Sequence, residues 1–515
     1  MQAIGDWIEA EAKITAAKAT GANVGREARP GSWGRQLSGR TPPGIGGKCL
    51  TAADIHALSA AKGFTPASRA ARQLSDTMPR RNFDPYLPLA PRQHLALTGL
   101  DCHPLAMAPQ TLRDAPGFSR FWWASSVSGF GDYFTSMAIQ VLVVTVMAGS
   151  AAEVGLVNSA RWLPYMLFGL IAGAMIDRAP RRPAMIAADL VRAGLLIAVP
   201  VLALSHRLSI WALAGFMSLF GLASLLGDAA TQAFVPRLVP RALLTRAHAR
   251  IDQSAAVAQT SAPALAGALI SLVGAPWAVV VDAASYVFSA AMLVGVRVEE
   301  PKPPATQQQS IWREAAAGAA YVYRHRTLAP MAIGTHAWFI CNAVAGAVFA
   351  PFVLRSLGAP SLALGLALSA AGIGGLAGSL SATRLGERLG AGRVIIGCRV
   401  LTAVGFGLVA AGGTGWLGWV AILAGQFVIG LSMGAENANE MSYRQAVTPD
   451  AVQGRMNATM RSINRAMIVV AAPLGGLLAD RIGYRATIQL AAGGFVLVAI
   501  GMSMTPFREA RTERG

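Results

Sequence analysis

Of the 515 residues, 54% are hydrophobic before the 55 glycines are counted, and only 14% are charged, against roughly 25% in soluble domains. Such a composition excludes a soluble globular chain of this length, whose surface needs far more polar side chains. The net charge of +18 does not point to nucleic acid, because the basic residues fall in short clusters between apolar runs, with no long stripe interleaved with aromatics.

Residues 1 to about 117 stand apart, rich in Arg, Ala, Pro and Gly, with no run long enough to cross a bilayer. The start lacks a basic segment followed by an apolar one, so no signal peptide is visible. Ile4, Trp7, Ile8 and Ile14 share one face of a possible short surface helix. Two readings stand: a cytosolic interaction tail, or sequence upstream of a true start at Met78 or Met107.

From Phe118 onward come apolar runs, each near the ~20 residues that span a bilayer as a helix. The runs predict spans over 121–148, 152–176, 184–205, 209–233, 250–274 and 276–296. A polar, Pro/Gln-rich connector follows, and then spans over 328–354, 361–383, 393–411, 416–438, 456–479 and 486–505. The expected organisation is an N-terminal six-helix half over 118–297, a cytosolic linker over 298–327, a C-terminal half over 328–507 and a tail over 508–515. If Phe118 is cytosolic, the inner loops carry most of the arginines and the outer loops only Arg207, Arg355, Arg481 and Arg485. By the positive-inside rule both termini are cytoplasmic.

The halves echo each other. Pro240 is followed by Arg246 and Pro263, and Pro449 by Arg455 and Pro473, at nearly equal spacings. Pro263 with Gly267 and Pro473 with Gly476 are expected to let helices pack closely. Two six-helix halves interrupted at corresponding places suit a transporter that rocks around a midplane site. The four cysteines, Cys49, Cys102, Cys341 and Cys398, have no metal-ligand spacing, so no metal site is expected.

The loop after the second span reads Gly173-Ala-Met-Ile-Asp177-Arg178-Ala-Pro-Arg181-Arg182. It resembles the signature loop of the major facilitator superfamily, whose members gate alternating access there. Asp177 offers a carboxylate to a neighbouring helix N-terminus, and the arginines suit lipid phosphates or partner carboxylates. Further residues are similar to bacterial exporters of the enterobactin-exporter and macrolide-efflux type. These are Gly131-Asp132-x-Phe134, Ala160-Arg161-x-x-Pro164, Pro236-x-Leu238-Val239-Pro240, and Ala262-Pro263 with Gly267. Alanine at 262 departs from the glycine usual in the antiporter motif, which leaves import or facilitated passage of a metabolite as the alternative.

Ionisable residues inside spans are expensive and therefore candidate sites. Asp132 lies near mid-membrane, where a carboxyl can change its protonation as its solvation changes. It is the candidate for proton coupling, with Arg161 on the next span as its counter-ion. Asp228, Glu436 and Glu440 are expected near the cytosolic ends of their spans, as gating or snorkelling residues, with Asp228 and Glu436 also candidates for the substrate cavity. His336 and Asn342, with Arg461, Asn464 and Arg465, are candidates to line the cavity from the C-terminal half. Arg461 and Arg465 share a helix face and favour an anionic group, whether on the substrate or on Glu436.

Three motif matches lie in the wrong context. Gly430-Leu-Ser432-Met-Gly434 fits a nucleophile elbow, but that needs a strand-turn-helix rather than a span. Gly372-Ile-Gly374-Gly375-Leu-Ala377 fits a dinucleotide fingerprint with no strand before it. Gly44–Lys48 resembles a phosphate loop, but Pro42 stands where its first glycine is required and Cys49 where Ser or Thr is required. The expectation is an all-α membrane protein with twelve transmembrane helices in two pseudo-symmetric halves. It is read as a monomeric, non-enzymatic transporter of a bacterial inner membrane, driven by a proton gradient without a cofactor. The resemblance implies export of amphipathic small molecules, drug or siderophore-like.

Overall fold

A computed structural model describes residues 111–112, 115, 117–176, 179–298 and 311–511. The expected surface helix near the start, Cys49, Cys102, Asp177 and Arg178 lie outside the described residues. The regular structure of the described residues is helical. In the first half these are α1 (Phe118–Val141), α2 (Ala151–Ile176), α3 (Arg181–Leu204), α4 (Ile210–Leu238), α5 (Leu244–Val273) and α6 (Ala275–Val294). After them come α7 (Ile311–Arg324), α8 (Leu328–Pro351), α9 (Ser361–Leu389), α10 (Ala391–Ala411), α11 (Trp416–Val447), α12 (Asp450–Ile482) and α13 (Tyr484–Ser503).

Among the described residues, 11 helices are long and apolar enough to cross a membrane. The helix α2, with 26 residues, has a comparable length of ~39 Å at 1.5 Å per residue. Large apolar side chains such as Leu272, Leu380 and Leu497 stand exposed on the outside of the bundle. In water such a surface would associate; against lipid it is the face that the solvent prefers.

Several helices outrun the apolar spans. The fourth span was drawn to 233 and the helix continues to Leu238; the tenth was drawn to 438 and continues to Val447; the eleventh begins at Asp450 rather than 456. Hydropathy measures how long a segment is apolar, whereas the backbone hydrogen-bond ladder runs on into polar sequence, whose side chains can stand exposed, as Ser442 and Gln445 do. The connector also differs from a plain polar linker. Its second part forms α7, an Ala-rich helix of residues with high helix propensity. Tyr321 on α7 donates to the Val447 carbonyl oxygen at 2.9 Å, and burial pushes the Tyr323 phenol up.

Corresponding devices recur in the two halves. A π-helical turn follows α1 at Leu142–Val146 and follows α8 at Phe352–Ser356. The turns into α6 and α13 are each made by a glycine at positive φ, Gly274 at 87° and Gly483 at 90°, a region other residues rarely enter. Within the halves, α1 packs on α5 and α6, α2 on α4, α8 on α12 and α13, and α10 on α11.

The halves meet along α2 with α12 and along α5 with α9. Small residues allow this: a Cβ on Gly476 would run into the Ala151 carbonyl oxygen, and one on Gly267 would come within 2.6 Å of the Ser361 oxygen. Pro263 has no N–H, so it frees the Gln259 carbonyl of its own helix, and that oxygen faces Gly372 on α9. The neighbouring Ala264 N–H donates across the seam to Ser369 Oγ at 3.0 Å.

Candidate functional site

Between the halves lies a cavity with two lobes, of about 750 Å³ on the C-terminal side and about 570 Å³ on the N-terminal side. Asn158, Trp162 and Arg465 line both lobes. The Arg465 guanidinium stacks on the Trp162 ring, 4.0 Å from its centroid, so this cation–π pair stands where the lobes meet and joins α2 to α12.

The cavity reaches toward the end of the bundle that carries α7, where Trp122, Ile251 and Ser254 form its wall. The opposite end is closed by contacts between the halves. Asp480 near the end of α12 accepts from the Ala151 and Ala152 N–H groups at 3.0 Å each, capping the first turn of α2 with a carboxylate. Arg355, in the second π-helical turn, donates to the Val144 carbonyl in the first at 2.8 Å.

The N-terminal lobe is built on an ionic chain. Arg161 on α2 donates to Asp132 Oδ1 on α1 at 2.8 Å and to Ser136 Oγ at 2.7 Å. The Tyr286 hydroxyl on α6 donates to the same Asp132 oxygen at 3.0 Å. Behind it, Arg192 pairs with Asp189 on α3 and stacks 4.3 Å from the Tyr286 ring centroid. Asp228 accepts from the Tyr165 hydroxyl at 2.7 Å. Because α4 runs on to Leu238, Asp228 sits within the bundle on the lobe wall rather than at a helix end.

In the C-terminal lobe, Glu436 pairs with Arg399 on α10. Arg399 also donates to Thr335 Oγ1 at 3.4 Å, Thr335 to Glu440 Oε2 at 3.1 Å, and Arg444 to Glu440 Oε1 at 3.3 Å. Of the two readings for Glu436 and Glu440, snorkelling at the end of the span does not hold: both are buried on the inner face of α11 in ion pairs. Nor is Glu436 the anion for the α12 arginines, since its ion-pair partner is Arg399. Asn342, Glu436, Asn464 and Arg465 line this lobe, with Trp338, Phe339 and Met433 among the apolar residues.

These observations can be set beside known proteins. The family described as transmembrane secretion effector matches residues 106–514. The chain belongs to this family of major facilitator transporters. Macrolide efflux protein A of Streptococcus pyogenes is 23% identical over 388 residues, covering 74% of this chain and 94% of that protein. Multidrug efflux pump Tap of Mycolicibacterium fortuitum is 25% identical over 398 residues, covering 75% and 95%. Among solved structures, the nucleoside transporter NupG superposes with a TM-score of 0.63 at 13% identity, over 75% of this chain and 98% of that one. That likeness is one of fold.

Asp132, Arg161, Asp228, Arg461 and Arg465 come together around the N-terminal lobe. His336 does not line either lobe; it bonds Asn464 Oδ1 at 2.6 Å and the Tyr323 hydroxyl at 2.8 Å, which suits an Nδ1–H donor and an Nε2 acceptor. It ties α8 to α12 and to the linker helix. Of the signature loop, Gly173 falls in α2, whereas Asp177 and Arg178 lie outside the described residues. Arg181 is buried at the start of α3. Arg182 donates to the Leu293 carbonyl at 2.9 Å and to that of Val294, so it caps the C-terminal end of α6 rather than facing lipid phosphate. Ser432 is buried inside α11, donating to the Val428 carbonyl at 2.8 Å.

Sequence reasoning passed over Asp189, Arg192, Asp282 and Arg399. The signal was present, since each is an ionisable residue within an apolar run. Asp189 and Arg192 pair three residues apart on α3, a spacing the sequence shows; the pairing of Arg399 with Glu436 on another helix depends on helix rotation, which the sequence leaves open.

Proposed function

We propose that the protein is a secondary transporter that exports amphipathic small molecules in exchange for protons, its two halves rocking around the two-lobed cavity. The observation that carries this reading is the Asp132–Arg161 pair, open to the cavity at 2.8 Å and spanning α1 and α2. Protonation of Asp132 would release Arg161, and a substrate entering the lobe would favour the reverse change. Proton and substrate thereby compete for one pair of side chains, which is the requirement for exchange.

Alternating access is supported by the asymmetry of the ends. The contacts of Asp480 and Arg355 close one end, while the lobe walls reach the other. Arginine-rich loops at the α7 end favour a cytoplasmic location for that end and for both termini. This reading makes twelve spans, counting α2, in a bacterial inner membrane, acting as a monomer with no cofactor beyond the proton gradient. Asp177 and Arg178 would help hold the cytoplasmic gate in the alternate state. The relatives named for macrolide and multidrug efflux support export, whereas Ala262, where the antiporter motif usually has glycine, favours the facilitator alternative.

The test is proton release from purified protein on adding hydrophobic substrates, comparing the native chain with Asp132→Asn. Release lost in the variant with binding retained is the expected result. Unchanged release removes Asp132 from the mechanism. Substrate loading of inverted vesicles that acidify inside distinguishes export from facilitated passage, which gives no gradient-dependent accumulation.

A further inference from the structure

We infer that the transported molecule is an amphipathic anion, held by Arg461 and Arg465 at the junction of the two lobes. The inference rests on the transport reading and names its substrate class. Four arginines line the N-terminal lobe, Arg161, Arg192, Arg461 and Arg465, against two carboxylates, Asp132 and Asp228. Asp132 is engaged by Arg161 and Tyr286, Arg192 is answered by Asp189, and Asp228 accepts from Tyr165. In the other lobe Glu436 is answered by Arg399 and Glu440 by Arg444. Among the described residues neither Arg461 nor Arg465 has an ion-pair partner. Asp228, held only by a neutral hydroxyl, offsets one of these two charges, so the cavity keeps a net excess of one positive charge, carried by the arginines on one face of α12.

A guanidinium removed from bulk water without a paired counter-charge is unfavourable, and the contact that the cavity gives Arg465 is the Trp162 ring, with Asp228 on the same lobe but not ion-paired to it. Its Nε is buried and has no hydrogen-bond partner. A carboxylate, sulfonate or phosphate would supply both the charge and a planar or tripod acceptor that an arginine fork fits. Trp122, Tyr133, Trp162 and Tyr165 on the same wall offer flat apolar surface to the rest of the molecule. Because Arg465 comes from the C-terminal half and Trp162 from the N-terminal half, an anion bound there touches both halves. Rocking would then change its contacts, which is how a ligand biases a two-state equilibrium.

The experiment uses the full chain in nanodiscs and two dyes on one xanthene ring system, the anion fluorescein and the cation rhodamine 6G, followed by fluorescence anisotropy. Fluorescein is expected to bind saturably and about tenfold or more tightly than rhodamine 6G, with affinity falling as salt rises. Arg465→Gln and Arg461→Gln should each weaken fluorescein by about tenfold, and Arg465→Lys by less, since it keeps the charge and loses the fork. Arg461 is exposed to the cavity, so its variant tests the idea even if Arg465→Gln folds poorly. Failure of fluorescein to bind, equal or tighter binding of rhodamine 6G, or indifference to both glutamine variants overturns the inference. Flux in proteoliposomes separates this from the transport reading. Fluorescein bound but never moved sinks transport and leaves the anion site, whereas rhodamine 6G moved without fluorescein binding does the opposite.

Discussion

In the N-terminal half the ion pair on the cavity wall is partly open, with side chains 18% exposed at Arg161 and 37% at Asp132. In the C-terminal half the pair of Arg399 and Glu436 is sealed, at 0% and 5%. The helical skeletons correspond down to the π-helical turns after α1 and α8, yet the charges are used differently. An open pair can exchange its partner for water, a proton or a ligand at little cost, and so can take part in a cycle. A sealed pair is fixed by the penalty of separating it, and so holds α10 to α11 whatever the cavity contains.

The largest effect that tests this contrast is in the sealed pair. Arg399→Leu leaves Glu436 buried without its counter-charge, at a cost of about 3–5 kcal/mol. Thermal unfolding in detergent should show a large fall in stability, largely recovered when Glu436→Leu is added. A single variant as stable as the native chain would mean that the pair is hydrated. Next comes the seam between the halves. Gly476→Val places a side chain against the Ala151 carbonyl and should disfavour the closed end by about 1–3 kcal/mol, the usual cost of overpacking. The readout is labelling of a reporter cysteine, Gln140→Cys, by an impermeant maleimide from that face, which should speed up clearly; no change would place the closure elsewhere.

Smaller shifts sharpen the comparison. Asp480→Asn retains an acceptor but loses the charge at the N-terminus of α2, worth about 0.5–1 kcal/mol. The same labelling should rise only a few fold, less than with Gly476→Val. The smallest change in stability is expected at the open pair. Asp132→Asn should lower thermal stability by less than Arg399→Leu, since the pair is partly solvated and Asn keeps an acceptor for Arg161 and the Tyr286 hydroxyl, while abolishing substrate-induced proton release. If it unfolds the protein as Arg399→Leu does, the two halves use charge in the same way after all.

Composition and hydropathy alone were enough for the solvent and the helical class. Transfer from water to lipid adds up residue by residue, so a run of apolar side chains reveals a membrane helix without reference to its neighbours. The signature loop and the exporter-like motifs likewise pointed to the family, and Asp132 with Arg161 could be matched because both lie near mid-span on consecutive helices. Tertiary structure alone decided the rest. Glu436, near the end of the apolar run, lies inside the bundle beside Arg399 because α11 continues to Val447. His336 was set on the cavity wall until its ring was found between Tyr323 and Asn464. Arg182 found helix-terminal carbonyls instead of lipid. In each case the outcome depends on how a helix is rotated and how far it extends. Those are fixed by many weak packing contacts summed over both neighbours, and no single stretch of sequence contains them.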